Sequence, residues 1–308
     1  MVIPALLLCF FITTVLPNAG NSGYLFLRIN PDAYSSAIAN SGVGKDFTKE
    51  ASVFNFTVNP AYLVTSSKIG ITYLNYLAGV QIGGLSYIQA NPIPVLNSGG
   101  IGLLYLNSGT IKKTDEYGYE LGSFTVSYVN LNILGSYEVV KEKLLVGANV
   151  KFLSGVIDSF TSLGLAGDFG VCWRSPLAGL STGAVLKNFG LEVKSFNNTR
   201  EELPLDVVLG CDYWIFSNAH ILFELYKPFG NPLQFNIGGE YEAHRYLTLR
   251  LGYNSRGKYF RENSSDLLSG LSFGFGIHFA RGQFDYSFVP MGSLGYTHNL
   301  TFSLQFRK

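Results

Sequence analysis

Apolar and polar residues alternate with a period of two along most of this chain, from about residue 67 to its last residues. In one segment Leu144, Val146 and Ala148 share one face, while Asn149 and Lys151 lie on the other. A period of two is that of a β-strand, whose successive side chains point to opposite faces of a sheet. The sequence therefore predicts an all-β fold for this part of the chain.

About fourteen such segments follow one another, separated by short stretches rich in Gly, Asn, Ser or Pro. Each segment is long enough to supply the ~9–11 residues that a tilted transmembrane strand needs. Short connections between consecutive strands are typical of an antiparallel meander, and closing the meander into a barrel removes its open edges. The segments cover approximately residues 67–76, 78–90, 99–109, 122–139, 143–155, 162–174, 178–189, 204–216, 219–228, 232–243, 246–256, 267–280, 282–290 and 295–307.

The polar face of these segments distinguishes a membrane barrel from a soluble β-sandwich. In a soluble sandwich that face meets water, so it should be rich in Lys and Glu. Here it is rich in Gly, Ser, Asn and Thr, and only 14% of the chain is charged, against about 25% in a typical soluble domain. Sparse charge is typical of an enclosed lumen, and the long, aromatic-rich apolar face is typical of a belt in contact with lipid. We therefore predict a transmembrane antiparallel β-barrel in the bacterial outer membrane.

The first residues have the pattern of a secretory leader. Residues 3–16 form an apolar run that is too short to cross a bilayer as a helix, which needs ~20 residues. The run fits the hydrophobic core of a signal peptide, and the helix-breaking and small residues after it suit cleavage. We assign residues 1–21 to a signal peptide and predict export.

Residues 22–66 do not show the alternation, and within them residues 32–39 are compatible with a helix. Two interpretations of this segment are open. It forms a short, partly helical plug that enters the barrel mouth, or it is a periplasmic tail. The barrel itself is assigned to residues 67–308.

Isolated charges on the predicted lumen face are the candidate site residues, namely Lys151, Asp168, Glu240 and Arg250. If the strands on either side of His244 are adjacent and antiparallel, positions whose numbers sum to about 490 face each other, which places Glu240 opposite Arg250. We predict an ion pair with a structural role, because removing one partner leaves an unpaired charge in the lumen.

No motif in the sequence points to catalysis. Two Gly-x-Ser-x-Gly sequences surround Ser181 and Ser272, but a nucleophile elbow needs a strand-to-helix turn and both sequences continue as alternating strand. Glu240, Glu242 and His244 share a face, where ion pairing is a simpler interpretation than a metal or acid–base site. The net charge is +1 without clusters of Lys and Arg, unlike nucleic-acid-binding proteins. We predict a non-enzymatic protein without a cofactor, a metal or a nucleic-acid partner.

Several phrases of the sequence resemble the PorV/PorQ family of outer-membrane proteins, and they occur in order along nearly all of the chain after the leader. The family-like residues singled out are Asn59, Pro60, Glu240, Tyr241, Arg250, Thr297 and His298. Asn59 and Pro60 lie in a phrase similar to the family's Asn-Pro-Ala-Gly-Leu element. Glu240-Tyr241 and Arg250 lie in phrases similar to its Gly-x-Glu-Tyr and Arg-x-Gly-Tyr elements, and Thr297-His298 lies in one similar to its Gly-x-Thr-His motif. Further matches cover residues 26–37, 183–190 and 202–205.

This resemblance implies a FadL-like barrel of fourteen strands with an N-terminal segment near the lumen. It also implies a role in type IX secretion, in which PorV-like proteins bind exported cargo and pass it to other secretion components. The alternative function is a FadL-like channel for small hydrophobic molecules, with the N-terminal segment as a hatch, and a purely structural barrel is a third. A continuous apolar tunnel would favour the channel, and a sealed lumen with long ordered outer loops would favour partner binding.

Overall fold

A computed structural model describes residues 23–49, 52–62, 66–197, 199–260 and 268–306. The proposed signal peptide, residues 1–21, lies outside the described residues. Within them, fourteen antiparallel strands pair with their neighbours in sequence, and β1 pairs with β14 to close a barrel. This confirms the predicted fold class. The strands are β1 (Lys68–Asn75), β2 (Gln81–Ile93), β3 (Leu96–Thr114), β4 (Glu120–Val140), β5 (Leu144–Ile157), β6 (Phe160–Arg174), β7 (Leu180–Lys194), β8 (Asp206–Phe216), β9 (Ala219–Pro228), β10 (Gln234–His244), β11 (Leu247–Asn254), β12 (Leu271–His278), β13 (Gly282–Pro290) and β14 (Tyr296–Gln305).

The wall has an apolar outer surface and a polar inner one. Ile101, Ile133 and Val150 are register partners on β3, β4 and β5, and their side chains are 53%, 48% and 44% exposed. On the opposite face, buried Asn149 donates from Nδ2 to Oδ1 of Asn132 over 3.0 Å. An apolar exterior around a hydrogen-bonded interior is the arrangement that a lipid bilayer favours.

The two ends of the barrel differ in their connections. One end has short turns, such as residues 94–95 and 217–218, and also the end of β14. The other end has the longer connections, including residues 195–205 and 255–270. Bacterial barrels have short periplasmic turns and longer extracellular loops. We therefore assign the second end to the cell exterior.

The hairpin of β3 and β4 extends further than the sequence predicts. Segments were expected at 99–109 and 122–139, whereas pairing continues from Thr110–Thr125 to Thr114–Glu120. These paired positions beyond the barrel are exposed except Phe124, which is half-buried. Because both faces of this ribbon meet solvent, no alternation of apolar and polar residues is needed there, and the period of two is lost.

Residues 32–62 of the N-terminal segment, where described, lie inside the barrel and are called the plug below. Its helix α1 (Ala33–Ala37) begins after Asp32, whose carboxylate accepts a hydrogen bond from the Ser35 backbone N over 3.1 Å, as an N-cap does. The same carboxylate accepts from Ser52 Oγ over 2.7 Å, which ties two parts of the plug together. No helix among the described residues has the length and hydropathy to cross a membrane.

Glycines of the wall allow the plug to pack directly on the strands. A Cβ atom on Gly147 of β5 would lie 2.2 Å from the Pro60 carbonyl oxygen, and one on Gly170 of β6 would lie 2.0 Å from Asn59 Oδ1. Any larger residue at these positions would displace the plug. The plug and this side of the wall are therefore matched in shape.

Candidate functional site

The charged side chains of the lower lumen form one connected network. Glu240 of β10 and Arg250 of β11 are register partners, and Arg250 Nε donates to Glu240 Oε2 over 2.6 Å. Arg250 Nη1 also donates to Asp285 Oδ1 of β13 over 2.6 Å. All three residues are buried. A buried guanidinium between two carboxylates is satisfied in both charge and hydrogen bonds.

This network reaches into the plug. Lys45 Nζ lies 3.5 Å from Glu240 Oε1 and also donates to the Tyr34 hydroxyl. Two cations lie over the Tyr34 ring, with Lys45 Nζ and Arg250 Cζ at 4.2 and 4.1 Å from its centroid. Burial raises the pKa of the Tyr34 phenol well above its usual range, so the ring remains neutral. The network therefore fastens the plug to the strands.

A histidine extends the network toward β8. The two ring nitrogens of His220 lie 2.6 Å from Asp212 Oδ1 and 3.1 Å from Glu240 Oε1. Asp212 Oδ2 also accepts from the backbone N of Asp46 in the plug over 2.9 Å. The described residues contain no group of His, Cys, Asp or Glu arranged to hold a metal ion. Every polar atom of this cluster named here faces a partner, which is the pattern of a structural joint.

The other predicted lumen charges, Lys151 and Asp168, form a second joint higher in the barrel. Lys151 Nζ lies 2.8 Å from Asp168 Oδ2 and donates to Asn188 Oδ1 over 2.7 Å. Asn188 has a φ of 59° and lies in a bulge of β7 against β6. Its Nδ2 donates to the carbonyl oxygen of Pro204 over 3.0 Å. These bonds hold the bulge and the segment that precedes β8.

The pairing of strands in the wall changes just above this bulge. Within the described residues, the ladder between β7 and β8 ends at the pair Lys187–Asp206, although β7 continues to Lys194. The outer part of β7 is therefore paired with β6 but not with β8. β-Bulges are frequent where a sheet stops pairing or redirects a side chain.

The remaining family-like residues are separated in the fold. Asn59 Nδ2 donates to the Val43 carbonyl oxygen over 2.9 Å, and its Oδ1 accepts from Ala61 N over 3.0 Å. Asn59 and Pro60 therefore belong to the plug and its internal hydrogen bonds. Tyr241 lies on the outer face and is exposed. His298 Nδ1 lies 2.7 Å from the Tyr286 hydroxyl. Glu240 and Arg250 alone among the family-like residues meet directly.

A cavity of about 730 Å³ occupies the outer end of the lumen and is called the mouth cavity below. Thr297 lies on its wall, as do Arg256, Gln234 and Asn254. Most of its surface is apolar, from side chains that include Phe26, Ile29, Leu74, Val80, Leu106, Val126 and Val289. This combination of an apolar wall with a few polar groups is typical of small-molecule sites.

A second, smaller cavity of about 80 Å³ lies beneath the first and is called the deep cavity below. Residues 23–31, called the strap, run between the two, because Phe26, Arg28, Ile29 and Asn30 line both cavities. Lys187 and Asp206, the last pair of the β7–β8 ladder, also line the deep cavity. The deep cavity therefore adjoins the place where the wall stops pairing.

Arg28 holds the strap across the lumen. Its Nη2 donates to Asp206 Oδ1 over 2.7 Å, and the Tyr226 hydroxyl donates to Asp206 Oδ2 over 2.7 Å. At the beginning of the strap, Gly23 N donates to the Glu202 carbonyl oxygen over 3.0 Å. Periodicity gives no signal for the strap, since its partners are distant in the chain. The resemblance over residues 26–37 implies an N-terminal segment near the lumen but not these contacts.

No family model matches this chain, and no curated protein is similar to it in sequence. Solved structures are similar in fold. The CymD monoaromatic hydrocarbon channel superposes with a TM-score of 0.64 at 11% identity, over 90% of this chain and 97% of that one. A mutant of the TodX monoaromatic hydrocarbon channel gives 0.63 at 13%, over 89% and 98%. A FadL homologue from Pseudomonas aeruginosa gives 0.55 at 12%, over 90% and 98%.

At these identities the likeness establishes the fold. The chain has the FadL-like barrel fold of outer-membrane proteins, in agreement with the predicted location in the bacterial outer membrane. The resemblance to PorV/PorQ proteins stays a prediction, and so does the role in secretion that it implies.

Proposed function

We propose that this protein is a non-enzymatic outer-membrane channel that admits small hydrophobic molecules from the cell exterior. The mouth cavity carries this proposal. Its volume of about 730 Å³ lies within the range of about 300–1,000 Å³ that is usual for small-molecule sites. Its apolar wall suits a ligand that gains free energy by leaving water.

The names of the similar structures support the same function, since TodX and CymD are monoaromatic hydrocarbon channels. The strap would act as the hatch between the mouth cavity and the deep cavity. It is held by one ion pair, a few hydrogen bonds and the packing of Tyr24, Phe26 and Leu27 on wall side chains, whereas the plug below it is fastened by the charge network. Movement of the strap alone would join the two cavities.

A molecule in the deep cavity would find the lumen below it filled by the plug. The end of the β7–β8 ladder adjoins the cavity at Lys187 and Asp206. We place the exit there, through the outer half of the wall into the membrane. The bulge at Asn188 would set the position of this exit.

The secretion role would make exported proteins and other secretion components the partners of the outer loops. It depends on the sequence resemblance to PorV/PorQ proteins. The plug-filled lumen and the extended β3–β4 hairpin are compatible with it, but neither feature identifies a partner. The mouth cavity, in contrast, has the size and the wall of a small-molecule site. The channel is therefore the function that we propose.

The experiment is uptake of isotopically labelled ethylbenzene by Gram-negative cells that express the chain. Val126 lines the mouth cavity, so Val126→Trp should obstruct it and reduce uptake to the level of cells without the chain. Val139 lies on the same strand but is exposed on the outside, so Val139→Trp is the matched control and should leave uptake unchanged. Equal uptake by both variants, with equal amounts of protein in the membrane, would show that the cavity is not the entrance.

A further inference from the structure

Buried polar atoms without hydrogen-bond partners gather around the deep cavity. Buried polar groups in proteins are nearly always hydrogen-bonded, so exceptions call for an explanation. Among the described residues, five residues that line this cavity have a buried side-chain atom with no partner. Three of them, Asn130, Gln234 and Asn236, are more than nine-tenths buried. The unpartnered atoms are Asn40 Oδ1, Asn130 Oδ1, Gln234 Oε1, Asn236 Oδ1 and Arg256 Nε.

The chemical nature of these atoms selects a complementary group. Four of them are amide oxygens, which only accept hydrogen bonds. The orientation of the Asn236 amide is fixed, because its Nδ2 donates to Glu224 Oε1 over 3.1 Å. Arg256 Nε is a donor. A hydroxyl group both donates and accepts, so it can satisfy an amide oxygen and Arg256 at once.

A carboxylate fits this set less well, since it would bring acceptor atoms toward acceptor atoms. The other cations that line the deep cavity already have oxygen partners. Arg28 donates to Asp206, Lys151 to Asn188, and Lys187 to the Thr57 carbonyl oxygen over 2.6 Å. The cations other than Arg256 therefore do not call for an anionic ligand.

We propose that the deep cavity receives the hydroxyl end of an amphipathic molecule, an alcohol or a phenol, whose apolar body lies in the mouth cavity. This proposal rests on the proposed channel function and names its substrate class. The shared residues of the two cavities, among them Gln234 and Arg256, would meet the ligand where its apolar body ends. The small volume of the deep cavity, about 80 Å³, admits a hydroxyl group and excludes a bulky polar head.

The alternative occupant is ordered water, which commonly satisfies buried polar atoms. A hydroxyl group that replaces such water must reproduce its hydrogen bonds, whereas a hydrocarbon cannot. The preference for a phenol over the matched hydrocarbon therefore distinguishes a hydroxyl site from a hydrated cavity.

The test is calorimetric titration of the purified full barrel, in lipid nanodiscs, with three probes of equal apolar body. These are para-ethylphenol, ethylbenzene and para-ethylbenzoate. We expect the phenol to bind at least about tenfold more tightly than either of the others, as one to two additional hydrogen bonds provide. Equal affinity for the phenol and ethylbenzene, or tightest binding of the benzoate, overturns the proposal and leaves the channel function standing. Failure of all three probes to bind overturns both.

Two substitutions test whether the preference for the phenol arises from the residues of the deep cavity. Gln234→Met keeps the shape of the side chain and removes the acceptor, so the ratio of phenol to ethylbenzene affinity should fall about threefold to tenfold. Ser287 Oγ is likewise buried without a partner but lines neither cavity, so Ser287→Ala should leave the ratio unchanged. The ratio is measured on folded protein and does not depend on how much of each variant folds. An unchanged ratio in Gln234→Met would contradict the assignment.

Discussion

Arg28 of the strap and Asp206, the first residue of β8, form an ion pair over 2.7 Å. Asp206 is also the residue at which the ladder between β7 and β8 ends. One ion pair thus joins the segment that divides the two cavities to the edge of the wall beside the deep cavity. Both the proposed hatch and the proposed exit depend on it.

Loss of the Arg28 charge should release the strap. Arg28→Met keeps most of the apolar stem but leaves the buried Asp206 carboxylate without its cation. We expect faster hydrogen exchange of the strap amides at residues 26–29 and unchanged exchange in α1, because the plug has its own network. Mass spectrometry of exchange in nanodiscs measures both.

The control for this variant removes an ion pair that does not contact the strap. Lys112 and Glu120 pair on the exposed hairpin, with side chains 73% and 61% exposed, and such surface pairs contribute little to stability. Lys112→Met should leave exchange in the strap unchanged. Equal protection of the strap in Arg28→Met and the parent protein would show that the Arg28–Asp206 ion pair does not hold the strap.

Cross-linking should close the proposed exit. Asn188 Nδ2 donates to the Pro204 carbonyl oxygen, so cysteines at these two positions are close enough for a short reversible thiol cross-linker. With the link in place we expect ethylbenzene to bind with unchanged affinity but to enter cells more slowly, with recovery after reduction. Uptake that is insensitive to the link would place the exit elsewhere.

The Glu240–Arg250 pair should show strong coupling between its members. Each charge is buried, and breaking such a pair from one side costs about 3–5 kcal/mol of unfolding free energy. Arg250→Met should destabilise the barrel by about this amount because Asp285 also loses its partner. The double variant with Glu240→Gln should cost less than the sum of the two single variants, by more than about 1 kcal/mol.

Reversible urea unfolding in lipid vesicles provides these free energies. Strict additivity of the two substitutions would mean that the pair contributes no coupling. The interpretation of the network as a structural joint would then be wrong.

The register of this pair could be predicted because two neighbouring strands and a tight turn fix which residues face each other. The strands, the closed barrel and the lumen face follow from the same alternation. The contributions of Lys45 and Tyr34 could not be predicted, since the path of the plug depends on contacts between segments nearly two hundred positions apart in the chain, as the bond from Lys45 to Glu240 shows. Sequence periodicity carries no information about such contacts.

The two cavities could not be predicted from the sequence, for a related reason. Their walls combine the strap with loops and strand ends from most of the barrel, and the amide residues around the deep cavity look like ordinary lumen residues in the sequence. Only their positions in space show that Asn130 and Asn236, far apart in the chain, line the same space.

Because the plug packs directly on the wall, Gly147 of β5 should not tolerate a larger side chain without a loss of stability. A Cβ atom on Gly147 would approach the Pro60 carbonyl oxygen within 2.2 Å, whereas one on Gly83 would meet nothing within 4 Å. We expect Gly147→Ala to destabilise the folded barrel by about 1–3 kcal/mol through overpacking and Gly83→Ala to have little effect. Equal unfolding free energies for the two variants would contradict the observed fit between plug and wall.

The central claim is that the apolar face of the strands contacts lipid. A spin label on a cysteine at Ile133, in protein whose other cysteines are replaced by alanine, tests it most directly in vesicles. We predict that dissolved oxygen, which concentrates in the bilayer, relaxes this label strongly and that a water-soluble nickel chelate does not. The same label at Tyr117 on the exposed hairpin should show the reverse. Strong relaxation of the Ile133 label by the nickel chelate would mean that this face meets water, and would contradict the membrane barrel.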